Sequence, residues 1–140
     1  MKILIAVDGS AFTKRMLAYL TAHDDFPGRG HDYTVLHTVA PVPARAAAAL
    51  DKGVLDAYYD DEAAKVFKPI KPFLAKQGLQ ASFVHKVGHA SDVIAQTAEK
   101  GKYGLLVMGS HGHGSLVNLV LGSVATKVIA RCSVPVLLIR

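Results

Sequence analysis

Leu105-Leu106-Val107-Met108-Gly109-Ser110-His111-Gly112-His113-Gly114-Ser115, continued by Leu121-Gly122-Ser123-Val124-Ala125-Thr126-Lys127-Val128-Ile129-Ala130, decides the fold. The apolar run from Leu105 to Met108 reads as a covered strand, and the last helix is expected from about Gly122 to Arg131. Between them lies a glycine-rich connection with the spacing Gly109-x2-Gly112-x9-Gly122-Ser123. Strand, glycine loop and helix start are the parts with which a protein holds a phosphate group. Glycine at 109 and 112 predicts positive φ and a backbone that a ligand can approach closely. Gly122 and Ser123 open a helix whose N–H groups and dipole favour an anion, and Ser123 adds a hydroxyl. The Walker run Gly-x4-Gly-Lys-Ser/Thr is absent, and no Gly-x-Gly-x-x-Gly follows the first strand, which disfavours a P-loop enzyme and a dinucleotide dehydrogenase. The competing reading is that these glycines only shape a long strand-to-helix connection.

Outward from this stretch, strands and helices alternate. Ile3 to Val7 is continuously apolar and too short for a helix, as in a parallel strand covered on both faces. Asp8-Gly9-Ser10 breaks it, Ser10 can cap, and Phe12, Met16, Leu17 and Leu20 predict a helix from Ala11 to Ala22. Phe26 to Gly30 is turn chemistry. Tyr33 to Val39 is rich in β-branched residues and reads as the second strand. Between Ala44 and Gly78 a long helical crossover is expected, kinked or divided near Pro69, after a flexible loop around residues 41–53. Leu79 to Val87 reads as the third strand. A helix with Ile94, Ala95 and Ala98 facing inward follows, then the fourth strand, Leu105 to Met108. The fifth strand starts at Pro135. The order β-α-β-α-β-α-β-α-β predicts an α/β sandwich: a parallel sheet with helices on both faces. Ligands of such sheets sit beyond the carboxyl ends of the strands, where Asp8, Val39 and Gly109 fall.

At 140 residues the chain is expected to be a single domain over 1–140, and 51% hydrophobic against 19% charged residues is the balance of a folded chain. The net charge of +5 comes from scattered lysines and arginines with no run longer than Lys14-Arg15. This argues against nucleic acid and fits a mild attraction for anions. Cys132 is the single cysteine, so no internal disulfide can form. With no apolar run approaching a membrane span and no signal-like start, a cytoplasmic protein with no membrane association is expected.

Four segments together resemble a single-domain universal stress protein along essentially the whole length. They are Ile3-Leu4-Ile5-Ala6-Val7-Asp8-Gly9-Ser10, Leu106-Val107-Met108-Gly109-Ser110, the glycine spacing itself, and Ser133-Val134-Pro135-Val136-Leu137-Leu138-Ile139. The spacing marks the subgroup of that family that binds ATP. The resemblance implies an adenine-nucleotide α-hydrolase-like sandwich of strand order 3-2-1-4-5, and a homodimer built partly by pairing the C-terminal strands. It places Ala6, Val7 and Asp8 at the ribose and adenine side, with Val39 touching the adenine. It also implies Met108 and Gly109 as the floor, and Gly112, Gly122, Ser123 and Val124 as holders of ribose and phosphates. ATP or another adenine nucleotide is then the implied ligand, with Mg²⁺ neutralising the phosphates. Two positions depart from the family pattern. Gly104 stands where an acid is usual, and His113 where a basic residue is common, so its help to the phosphates would depend on pH.

The remaining chemistry-bearing residues read mostly as structure. His111 and His113 flank Gly112, but two histidines without a third nearby ligand are more often loop residues than a metal pair. His37 reads as a satisfied core histidine, Cys132 as packing, and Asp60-Asp61-Glu62 as a solvated patch near a helix start. Asp8 is open between a turn residue and a base or metal ligand. No nucleophile–base pair or carboxylate dyad has a recognisable spacing, so binding rather than turnover is expected. A ligand-free dimeric scaffold and a weak ATPase or adenylyl transferase of the same fold stay open as alternatives.

Overall fold

The computed structural model describes residues 1–114, 118 and 120–140. The chain forms β1 at Lys2–Val7, β2 at Asp32–Val39, β3 at Ala81–Val87, β4 at Leu105–Gly109 and β5 at Val136–Ile139. Between them run α1 (Ala11–Ala22), α2 (Ala44–Ala48), α3 (Lys52–Lys76), α4 (Ala90–Lys100) and α5 (Ser123–Arg131). All strand pairs are parallel and the order is β3-β2-β1-β4-β5, the order that the resemblance implies.

Alternate side chains of the central strands feed two cores. Ile3, Ile5 and Val7 of β1 point to the face covered by α1 and α3, where Met16, Leu17, Phe67, Ile70 and Leu74 meet them. Leu4 and Ala6 point to the other face, against Ile94 and Ala98 of α4 and Ala125 and Val128 of α5. With both faces covered, the apolar continuity of β1 is what a buried parallel strand requires. Helix α1 begins where Ser10 Oγ accepts the Thr13 N–H, as its capping position predicts. Across the outer surface, the Arg131 guanidinium of α5 pairs with the Asp92 carboxylate of α4. Among the described residues no helix is long and apolar enough to cross a membrane.

Four expectations need correction. Helix α3 is not divided at Pro69: it runs unbroken through Pro69 and Pro72. Tyr59, Ala63, Phe67, Ile70 and Leu74 recur at spacings of three and four along its buried side, and this apolar stripe holds the helix together. Both prolines are exposed, so the carbonyls they leave unpaired can turn to water. The segment 41–53 is not all loop, because α2 forms within its alanine run. The acidic triplet 60–62 sits in the interior of α3 rather than at a helix start, and Glu62 pairs with Lys65 at 2.8 Å. The third strand starts at Ala81, two residues after the expected Leu79.

A tight turn follows α4. A Cβ at Gly101 would stand 2.8 Å from the Thr97 carbonyl oxygen and against the Tyr103 ring. Gly101→Ala should therefore cost about 1–3 kcal/mol by overpacking, read as a lower urea midpoint with an unchanged slope.

Candidate functional site

Strand order reverses between β1 and β4, since β1 leads to β2 on one side and β4 to β5 on the other. The register sets Ala6 level with both Leu36 and Met108, and Val7 level with His37. β1 and β4 therefore end together, β2 runs two residues further, and a cavity of about 310 Å³ opens beyond them. Its size is that of a small-molecule site, and its position is where an open α/β sheet leaves a crevice.

Nine of the ten residues singled out from sequence line this cavity. Ala6, Val7 and Asp8 come from β1 and its end, Met108 and Gly109 from β4, Gly112 from the loop, and Gly122, Ser123 and Val124 from the start of α5. Val39 is not among them: its side chain is buried in the core on the α1/α3 face, and its carbonyl accepts the Gly88 N–H at 3.0 Å. Residues 115–117 and 119, which include Ser115 of the opening stretch, lie outside the described residues.

Asp8 is fixed from three directions. Its Oδ1 accepts the Ser10 N–H at 2.9 Å and the Thr13 hydroxyl at 2.8 Å, while its own N–H donates to Thr13 Oγ1 at 3.1 Å. Burial pushes the carboxyl upward, but the bonds from Ser10 and Thr13 and the nearby His113 outweigh it, so the net value lies below the ordinary aspartate range. His113 Nε2 donates to the Asp8 carbonyl at 2.7 Å, tying the glycine loop to the end of β1.

The glycines act differently from the expectation. Neither Gly109 nor Gly112 has positive φ; in this loop that conformation belongs to Gly114, at φ 72°. What Gly109 and Gly112 supply is space. A Cβ at 109 would stand 3.1 Å from Phe12 Cβ, and one at 112 would fall on Asp8 Oδ2. The loop thus lies so close over the carboxylate that no side chain fits between them. Gly122 is the residue before the first turn of α5, and its N–H donates to the Ser110 carbonyl at 2.7 Å. That bond aims the first turn of α5 at the cavity, and the helix leaves the N–H groups of Ser123, Val124 and Ala125 without intrahelical acceptors.

Sequence reasoning missed a second set of wall residues: Thr13, His37, Thr38, Ile94, Ser110 and His111. They come from α1, β2, α4 and the loop, and only the folded sheet brings them together. His37 is satisfied as expected, with Nδ1 2.9 Å from the Val7 carbonyl, but it is half-buried in the cavity wall rather than in the core. His111 and His113 do not form a pair. His111 is buried against the Phe12 ring at 5.0 Å and lies 2.8 Å from Ser110 Oγ, whereas His113 is exposed and turned to Asp8. Among the described residues no cluster of three histidine, cysteine or acidic side chains could hold a metal ion.

The Asp8 network has a pH signature. A carboxyl whose folded value is lowered stabilises the fold above its ordinary titration near pH 4 and loses that contribution as pH falls through the folded value. Asp8→Ala should cost about 1–2 kcal/mol at pH 7 through its lost hydrogen bonds. The gap from the parent protein should shrink steadily between about pH 5 and pH 2 in urea titrations. A gap that widens in acid would contradict the assignment.

Comparison with known proteins bears on the whole chain. The model of the universal stress protein family matches residues 1–140. A universal stress protein of Thermus aquaticus is 32% identical over 138 residues, covering 99% of this chain and 97% of that one. Another, Slr1230 of Synechocystis sp., is 30% identical over 142 residues, and the match spans 99% of this chain but 42% of that one. Among solved structures, that of the hypothetical protein MJ0577 superposes with a TM-score of 0.80 at 26% identity, covering 99% of this chain and 94% of that one.

Proposed function

The chain belongs to the universal stress protein family, and from that premise we propose that it binds an adenine nucleotide, ATP foremost, in the cavity beyond β1 and β4. Occupancy would set a conformation or a partner during stress response in the cytoplasm, without fast catalysis. One observation carries this reading: the glycine loop and the first turn of α5 converge on one end of a cavity whose other walls mix apolar side chains with Thr13, His37 and Thr38. Ala6, Met108, Ile94 and Ala125 supply the apolar walls. The N-terminus of α5 offers backbone donors and a favourable dipole for phosphate. Further support comes from solved universal stress proteins that share the fold: one in complex with cAMP, one from Archaeoglobus fulgidus with dAMP and one from Arabidopsis thaliana with AMP.

The cavity wall has a single carboxylate among its described residues, Asp8. With Oδ1 occupied by Ser10 and Thr13, Asp8 has at most Oδ2 left for a cation or a ribose. That fits Mg²⁺ held chiefly by phosphate oxygens and water, with one carboxylate at most. It does not fit a positioned base for water, so hydrolysis would be slow. Titration calorimetry and thermal melts with AMP, ADP and ATP, with and without Mg²⁺, test the reading. Saturation at 100 times Kd should add about 2.7 kcal/mol of stability. No heat and no shift at millimolar nucleotide would sink it and favour a ligand-free scaffold.

The same reading includes a homodimer. Among the described residues β5 is an edge strand, and its run Val136-Leu137-Leu138-Ile139 has a neighbour on the β4 side only. An apolar edge of this kind invites pairing with a second copy. Sedimentation should give twice the 14.9 kDa chain mass; the monomer alone at micromolar concentration would refute the dimer.

A further inference from the structure

We propose that the groove between α1 and α3 binds a free medium-chain carboxylate, its chain between the helices and its carboxylate at Lys14. The sheet sets where the groove lies. Helix α1 rests on β4 and β5, and α3 on β2 and β3, so β1 runs beneath the seam between them. Where that seam opens there is a cavity of about 300 Å³, the size of a small-molecule site. It is separate from the crevice beyond β1 and β4, with Thr13 as the wall residue common to both. The proposal therefore stands apart from the nucleotide reading.

The lining is apolar. Leu17 and Ile70, both buried, form its floor, and its walls are Ala18 of α1 with Val66, Pro69 and Phe73 of α3. Pro69 brings a ring and no N–H. The Thr13 hydroxyl is engaged with Asp8, donating to Oδ1 at 2.8 Å and accepting the Asp8 N–H at 3.1 Å. Walls of this kind favour a hydrocarbon body over one that needs hydrogen bonds. From Val66 to Phe73 the groove follows two turns of α3, about 10 Å, the reach of an extended medium-length chain.

Lys14 supplies the polar end. It is the charged residue of the lining, and among the described residues no acidic side chain joins it there. Its neighbour Arg15 lies over the Phe12 ring, and Lys65 of α3 pairs with Glu62. Lys14 has no such partner among the described residues. It stands on the first turn of α1, near the end of the groove that Gly9 closes, where a Cβ at 9 would lie 3.5 Å from Val66 Cγ2. Ala18 and Phe73 lie further along the two helices, so a carboxylate at Lys14 directs the chain toward them. An exposed ion pair adds little affinity; the chain supplies most of the binding, and Lys14 sets the charge of the head.

Calorimetry on the full chain with hexanoate, octanoate and decanoate, below their micelle concentrations, tests the site. Each two-carbon extension should tighten binding about five- to tenfold. Octanol, which lacks the charge, should bind about fivefold more weakly than octanoate, and Lys14→Met should remove that difference. Ala18→Leu, at an exposed helical position, should fill the tail end and weaken decanoate at least about tenfold. Amide spectra of the unsubstituted protein locate the site even if a variant fails to fold: decanoate should shift Gly9, Lys14 to Ala18 and Val66 to Phe73. No saturable binding of decanoate at millimolar concentration would overturn the proposal, as would undiminished binding in Ala18→Leu. Shifts confined to the crevice beyond β1 and β4 would equally overturn it. Equal binding of octanol and octanoate, or a preference that survives Lys14→Met, would overturn the role of Lys14 and with it the anionic ligand. A dimer that Ala18→Leu converts to monomer in sedimentation would show a second copy on the groove instead of a carboxylate.

Discussion

Gly112→Val is expected to weaken adenine-nucleotide binding by about a hundredfold or more, some 2.7 kcal/mol, while the chain stays folded. The reason is the closeness of the loop to β1. A Cβ at 112 would fall on Asp8 Oδ2, so either the carboxylate or the loop must leave its place. If the carboxylate moves, it gives up its bonds to Ser10 and Thr13. If the loop moves, it withdraws from the cavity and the His113 tie to the Asp8 carbonyl breaks. Both outcomes open the phosphate end, and valine adds two methyl groups where the ligand would lie. Gly114→Ala is the control. It has positive φ but nothing within 4 Å of its would-be Cβ, so it should cost about 1 kcal/mol of local conformational energy and leave affinity within a few fold. Calorimetry on both variants, with circular dichroism to verify folding, checks the contrast.

Leu4→Ala should produce the largest loss of stability, about 2–5 kcal/mol. Leu4 is wholly inaccessible, in the middle of β1 with β2 on one side and β4 on the other. Its side chain belongs to the core formed with Leu36, Leu106, Ile94 and Val128. Strand neighbours on both sides and helices above leave little room for collapse around the missing atoms. Val84 gives the comparison: it lies on the edge strand β3 and is 38% exposed. Val84→Ala should stay below about 1 kcal/mol. Urea denaturation of the two variants measures the difference, and similar losses at both sites would contradict the packing described.

Much of this was legible in the chain because the signals were local. Phe12, Met16, Leu17 and Leu20 at helical spacing give α1 its observed limits, and the apolar run of β1 marks it as covered on both faces. Where local and tertiary terms conflict, the sequence misleads. Pro69 and Pro72 oppose a helix in isolation, yet the stripe from Tyr59 to Leu74 that packs on β2 and β3 keeps α3 whole. The wall of the cavity shows the same division. Asp8, Gly112 and Gly122 stand out by their spacing and their place at strand and helix ends. His37, Thr38 and Ser110 do not, because their neighbours across the cavity are set by sheet order and register. The glycine loop was legible as a cradle but not in its working: closeness of Gly112 to a carboxylate, rather than positive φ, is what the residue type serves.

An adenine nucleotide in the crevice between the ends of β1 and β4 and the start of α5 would perturb the backbone amides around it. An amide NMR titration of the ¹⁵N-labelled chain with AMP, then ATP and Mg²⁺, tests ligand and place together. Saturable shifts are expected, concentrated at Ala6 to Ser10, Met108 to Gly112 and Gly122 to Ala125, with α3 and the outer face of β3 silent. Absence of saturable shifts, or shifts confined to surfaces away from these three segments, would contradict that placement.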